Sequence, residues 1–274
     1  MAPLEPIIIY AIPSSQFVFK VLAALQSRNI PHYVVFVPVA DEKERRKVMP
    51  SGGSMSPEMK VGTGDDAIVV SDSEKILHWL DEHYNAKLFP SPEASELSER
   101  ASNQTLASMV WYYNAVNKKG YQKSIQTHIR KAVFPTYVPE FLGNAFVDYK
   151  SQAARRKERQ KVLKSLPGAN EALLEDEDAM YQKLLEELKF FQALLQRPDQ
   201  KYLLNTKEPT AADFSVYAQV ARLMAGGSND SEIPACAPPA LADDSSLDRL
   251  WQWYELMKSE VFVKFKGKRK PKDL

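Results

Sequence analysis

The sequence changes character near residue 86, and that break limits the fold more than any other feature. Before it, short apolar runs alternate with amphipathic stretches; after it, the periodic stretches all repeat at helical spacing. Ile7–Tyr10 is a β-branched run of the buried-strand kind. Phe17, Val18, Val21, Leu22 and Leu25 then fall on one helical face. Tyr33–Val37, flanked by prolines at 31 and 38, predicts a second strand, and residues 41–47 (DEKERRK) a short solvated helix. Pro57 leads into Glu58–Val61, where apolar and polar residues alternate. A turn at Gly62–Asp66 and the run Ala67–Val70 complete a hairpin. Ile76, Leu77, Leu80 and Tyr84 share a face of a closing helix. The predicted order is β-α-β-α-β-β-α, with the first two strands parallel through a right-handed crossover and the hairpin antiparallel.

Residues 86–96, rich in Pro, Ser and Ala, predict a linker. Beyond it a helix is expected over Ser98–Asn117, carrying Met109, Val110, Trp111, Tyr112 and Tyr113. Met180, Leu184, Leu188, Phe191 and Leu195 mark a second helix, a third begins near Thr210, and Leu247, Leu250, Trp251, Tyr254 and Met257 mark the last. Residues 155–164 are basic, 171–178 acidic, 225–246 an irregular loop and 264–272 a basic tail. The expected organisation is an α/β domain at 1–88, an all-helical domain at 97–263 and the tail at 264–274. Ten glycines in 274 residues is about half the average share of ~7%, which also favours helices over turn-rich β architecture.

Composition excludes several classes. Lys+Arg 36 against Asp+Glu 35 leaves +1, so no global field draws in nucleic acid or anionic lipid. The basic tail is read as a solvated end, and nucleic acid is not an expected partner. One cysteine cannot make an internal disulfide. No run approaches the ~20 apolar residues of a membrane helix, and Met1–Pro6 carries Glu5 and no basic residue, unlike a signal peptide. The expected compartment is the cytoplasm, with the sequons at Asn103 and Asn229 unused.

Familiar catalytic patterns are absent or misplaced. Gly62–Ala67 matches the spacing of a dinucleotide fingerprint, but a strand follows it rather than a helix, and two aspartates would repel phosphate. Gly53–Ser56 lacks the second glycine of a nucleophile elbow. His32, His78, His83 and His128 are isolated, and Cys236 sits in a loop without an adjacent His or basic residue. No metal is expected.

Three places carry more information, each with a plain alternative. Ser71 and Glu74 have capping-box spacing, which sets Asp72 and Ser73 in a helix's first turn. There the backbone amides and dipole favour an anion. An amino acid's carboxylate can bind Ser73 and the amides while its ammonium pairs with Asp72; equally, every helix needs a start. Pro57 enters a strand after Ser56, where a cis bond is common, opening the Ser56 backbone to a peptide-like ligand; a plain strand-entry proline fits as well. Ser14 and Ser15 lie between strand and helix, where a hydroxyl can donate to an anion or simply cap. A bound thiol of pKa about 8.5 would be pushed toward thiolate there. Tyr10, ending the strand, is either core or a further hydroxyl for that task.

Taken in order, these features resemble the glutathione transferase superfamily over residues 5–90 and 97–225. The resemblance rests on Tyr10 followed by Ser15-Gln16-Phe17 and Lys20-Val21, and on Ser56-Pro57-Glu58-Met59 at the cis-proline signature. It rests also on Asp72-Ser73-Glu74-Lys75-Ile76-Leu77, and on the capping box Pro209-Thr210-Ala211-Ala212-Asp213-Phe214. It implies a thioredoxin-like N-terminal domain followed by an all-helical one, and a cytosolic, homodimeric enzyme of detoxification type. Glutathione is then the co-substrate: Asp72 and Ser73 hold its γ-glutamyl end, and the Ser56 backbone beside Pro57 holds its cysteinyl amide. Ser15 stands where theta-like members carry serine, and its hydroxyl stabilises the thiolate, with Tyr10 and Ser14 as the other candidates. A small apolar electrophile would lie against Trp111, Tyr112 and Tyr113, of which one or two can face a pocket. Arg46, Lys47 and Lys60 are candidates for the glycyl carboxylate. The chain departs from the family in having Ser rather than the commoner Val before the proline and a polar loop at 50–56. Without a cysteine at position 15, mixed-disulfide chemistry is disfavoured. A non-catalytic binding module and a glutathione-dependent peroxidase or reductase are the alternatives.

Overall fold

A computed structural model describes residues 6–12, 15–38, 41–64, 66–127, 129–130, 134, 138–197, 199–225 and 235–261, without the side chains of 123, 124 and 225. Ser14, His128, Asn229 and the basic tail lie outside the described residues.

The N-terminal elements follow the predicted order: β1 Ile7–Ala11, α1 Gln16–Ser27, β2 His32–Phe36, α2 Glu42–Val48, β3 Glu58–Val61, β4 Ile68–Ser71 and α3 Ser73–Tyr84. The sheet runs β2-β1-β3-β4, with β1 parallel to β2 and both other pairings antiparallel. Period-2 alternation divides β1 between two faces. Ile7, Ile9 and Ala11 join the cluster built from α1 and α3, whereas Ile8, Val35 and Met49 are buried outside it. The short charged helix α2 buries nothing and is capped by Asp41, whose carboxylate accepts from the Glu44 amide. The glycine-rich match at 62–67 is the β3–β4 turn, with positive φ at Gly62 and Gly64. The strand β4 follows it in the chain, and not a helix.

The helical part starts earlier than expected. Its first helix, α4, spans Pro92–Asn103, with proline in its first turn after Ser91, the placement at which proline opens a helix rather than a linker. The helix expected over Ser98–Asn117 is broken: α4 ends, α5 runs Thr105–Trp111, and a π-helical turn follows at Tyr112–Val116. Then come α6 Lys118–Tyr121, α7 Glu140–Ser165, α8 Glu171–Glu175, α9 Glu177–Leu194, α10 Ala211–Ala225 and α11 Asp248–Glu260. Gly120 fits tightly under the π-helical turn, since a Cβ there would lie 2.1 Å from the Tyr113 carbonyl. The basic and acidic runs meet where Arg159 of α7 pairs with Glu171 and Glu175.

One apolar cluster continues from α1 and α3 into α4, α5, α9, α10 and α11. The apolar faces expected for α9 and α11 are buried, apart from Trp251, which is half-buried while Trp253 goes inward. The segment between the two parts is pinned by the Leu88 amide donating to Asp81 (2.6 Å) and the Ala211 amide donating to the Leu88 carbonyl (2.9 Å). Arg28, at the end of α1, reaches the carbonyls of Ala86 and Pro209 at 2.7 and 2.5 Å.

Candidate active site

Strand register brings three chain segments to one end of the sheet. Tyr10 pairs with Glu58, and Glu58 with Ser71. At that level β1 is ending, β3 is beginning and β4 is ending. The chain leaves β1 toward Ser15, enters β3 through Ser56 and Pro57, and leaves β4 into Asp72 and Ser73. The Ser56–Pro57 bond is cis. Ser56 ties its segment to β1: its Oγ accepts from the Ile12 amide at 2.9 Å and donates to the Tyr10 carbonyl at 3.1 Å. Behind the proline, buried Glu58 accepts from the Ser51 amide (2.6 Å) and hydroxyl (2.8 Å), fixing the polar loop. Arg45 supports the same loop by donating to the Ser54 carbonyl at 2.9 Å.

The two helix starts at this end differ. Ser15 is the N-cap of α1, in extended geometry, and its hydroxyl makes no capping bond. It sits at the positive end of a twelve-residue helix with a donor to spare. At α3 the capping residue is Asp72 and not Ser71, which ends β4. Asp72 adopts φ 87°, and its Oδ1 accepts from the amides of Glu74 and Lys75 at 2.9 and 3.3 Å. The expected capping box is therefore replaced: Glu74 does not reach back, and its side chain meets Lys20 at 2.5 Å instead. Ser73, the first helical residue, is buried.

Tyr10 separates from this group. It alternates with Ile9 and Ala11, which face the α1 layer, and shares the opposite face with its cross-strand partner Glu58. Burial, and then the Glu58 carboxylate, push its phenol above the usual range. Of the three hydroxyl candidates, Ser15 alone is described at the head of α1.

The aromatic trio also divides. Tyr112 and Tyr113 are core residues, 1% and 3% exposed, and stack edge-to-face at 5.0 Å. Burial raises both phenols. Neither offers surface to a small molecule, a correction to the expected pocket. Trp111 is half-buried and packs 6.1 Å from the ring of Phe17, two residues beyond Ser15, with Lys161 over its face at 4.9 Å. Phe17, whose helical pattern reads as core, is itself only half-buried beside Trp111.

Arg46 and Lys47 are exposed and paired along α2 with Glu42 (2.7 Å) and Glu44 (2.5 Å). Cys236 is buried and does have a basic neighbour: its sulfur lies 3.5 Å from the Arg222 carbonyl, and the Arg222 guanidinium interacts with it electrostatically. His78 and His83 stack on Phe89 and Trp79. Among the described residues no cluster of metal-ligating side chains forms, and no helix is long and apolar enough to cross a membrane.

The downstream capping box is present as expected. Asp213 accepts from the Thr210 amide and hydroxyl at 2.8 and 2.9 Å and from the Leu203 amide at 2.9 Å.

Residues 9–88 match the family described as glutathione S-transferase, N-terminal domain. A search of curated proteins finds no match. Solved structures with a similar fold include a glutathione transferase family member from Pseudomonas fluorescens with two glutathione bound. It has TM-score 0.53 and 11% identity, over 94% of this chain and 93% of that one. A glutathione transferase from Bombyx mori gives TM-score 0.52 and 14% identity over 95% and 91%. A theta class glutathione S-transferase from Xanthomonas axonopodis pv. citri with glutathione bound gives 0.50 and 16% over 96% and 100%. Residues 9–88 thus form a domain of the glutathione S-transferase N-terminal family, and the chain as a whole has the thioredoxin-like-plus-helical fold of solved glutathione transferases.

Proposed function

We propose that the chain is a glutathione transferase that joins the glutathione sulfur to small apolar electrophiles. The observation that carries this reading is the Ser15 hydroxyl, unspent on its own helix at the head of α1. It donates to the glutathione sulfur and, with the helix dipole, favours thiolate over thiol at neutral pH. The thiol proton passes to solvent. The thiolate then attacks an electrophilic carbon and forms the carbon–sulfur bond as the leaving group departs or a conjugate addition completes.

The other roles follow from the same end of the sheet. Asp72 uses only Oδ1 as a cap, which leaves Oδ2 to meet the γ-glutamyl ammonium. Ser73 and the first amides of α3 meet its carboxylate. The backbone of Ser56, beside Pro57, pairs with the cysteinyl amide. The electrophile rests against Trp111 and Phe17, with Tyr112 and Tyr113 as backing. Homodimerisation fits the exposed apolar residues Ile68 and Val69 on the edge strand β4. A cytoplasmic detoxifying role completes the reading.

Retention on immobilised glutathione, followed by turnover of a panel of electrophiles, tests it. Retention with turnover is expected. Retention without turnover indicates a binding module, peroxide consumption indicates a peroxidase, and no retention refutes the glutathione site.

A further inference from the structure

Lys20 is 1% exposed, in the middle of the apolar side of α1. Its ammonium donates to Glu74 Oε2 at 2.5 Å and to Ser102 Oγ at 2.9 Å. One cation thereby ties α1 to the first turn of α3 and to α4 in the helical part. Stability alone does not call for this arrangement, because apolar residues of similar volume often serve a buried site as well as an ion pair does. What the pair adds is position. Glu74 directly follows Ser73, and its backbone amide is one of the two that hold the Asp72 carboxylate. Fixing the Glu74 side chain therefore fixes both ends of the Asp72–Ser73 step relative to α1. The second carboxylate oxygen of Glu74, Oε1, is buried without a hydrogen-bond partner, so Lys20 and not a wider network holds this side chain.

We propose that Lys20 is a positioning residue for the γ-glutamyl end of glutathione, acting through Glu74 on the start of α3. The inference rests on the glutathione reading above. Calorimetric binding of two thiols tests it: glutathione, and cysteinylglycine, which keeps the thiol but lacks the γ-glutamyl group. Wild type binds glutathione more tightly than the dipeptide. Lys20→Met weakens glutathione about tenfold, equivalent to ~1.4 kcal/mol, and leaves cysteinylglycine unchanged. A general structural role would weaken both alike. In Lys20→Met/Glu74→Gln no unpaired carboxylate is left inside, and this variant carries the same measurement if the single one does not fold. Equal losses for the two thiols, or no loss for glutathione, overturn the proposal. Failure of the wild type to bind glutathione is a separate result, and it overturns the glutathione reading itself.

Discussion

Asp72 and Asp213 each hold the start of a helix with a carboxylate, one half open and the other sealed. Asp213 is completely buried, and both its oxygens are filled by the Thr210 amide and hydroxyl and the Leu203 amide. Asp72 is half-buried at the end of the sheet and fills one oxygen only. The same device thus does two jobs. Closed on all sides it is architecture, joining α10 to the loop before it; left open on one side, at the end of the sheet where α1 also begins, it is the proposed γ-glutamyl contact. The same contrast separates the buried phenols of the helical part from the polar end of the sheet.

The largest effect is expected on the sealed side. Asp213→Ala leaves two buried amides without an acceptor, at about 1–3 kcal/mol each, so urea denaturation should show a loss of roughly 4 kcal/mol. Turnover per folded molecule stays the same; lost turnover at intact stability would reverse the assignment of the two aspartates. Ser15→Ala is the mirror case. Removing one oriented donor costs about 3 kcal/mol of transition-state stabilisation, so kcat/KM falls about a hundredfold, while the melting temperature holds because the hydroxyl caps nothing.

A smaller effect is expected in alkali. Burial, and then Glu255, push the Tyr254 phenol up to about 12. Between pH 10 and 12 the folded chain keeps a proton that the unfolded chain releases, so stability falls as pH rises through that window. Two units correspond to about 2.7 kcal/mol, and Tyr254→Phe should flatten the pH dependence of urea denaturation by up to that amount. The smallest effect separates capping from charge at the open aspartate. Asp72→Asn keeps a good cap, so stability changes by under ~0.5 kcal/mol, but the KM for glutathione rises about tenfold as one charge-assisted bond, worth about 1.5 kcal/mol, is lost. An equal fall in stability would make Asp72 another sealed cap.

Much of this was legible because it is local. The order of elements along the N-terminal part, the hairpin and the Thr210–Asp213 box follow from alternation, glycine turns and three-residue spacing. Ser15, Pro57 and Asp72 announce themselves as residues that start helices or enter strands. The start of α4 was misplaced because Pro92 and Ser91 read equally as linker or as a first turn. Choosing Asp72 over Ser71 as the cap depends on where β4 ends, which the register with β3 decides. Tyr10 was readable in part, since strand parity sets it opposite Ile9 and Ala11. Tyr112 and Tyr113 were not, because the π-helical turn after Trp111 changes the faces that a regular helix would present. The Lys20–Glu74–Ser102 link spans partners 54 and 82 residues apart. Its one trace in the sequence is a lysine inside an apolar run.

The most direct test is a crystal structure of the chain with glutathione bound. The sulfur is expected within ~3.2 Å of Ser15 Oγ, with the γ-glutamyl ammonium against Asp72 and the cysteinyl amide beside Pro57. A tripeptide bound on the Tyr10–Glu58 face, or anywhere other than this end of the sheet, contradicts it.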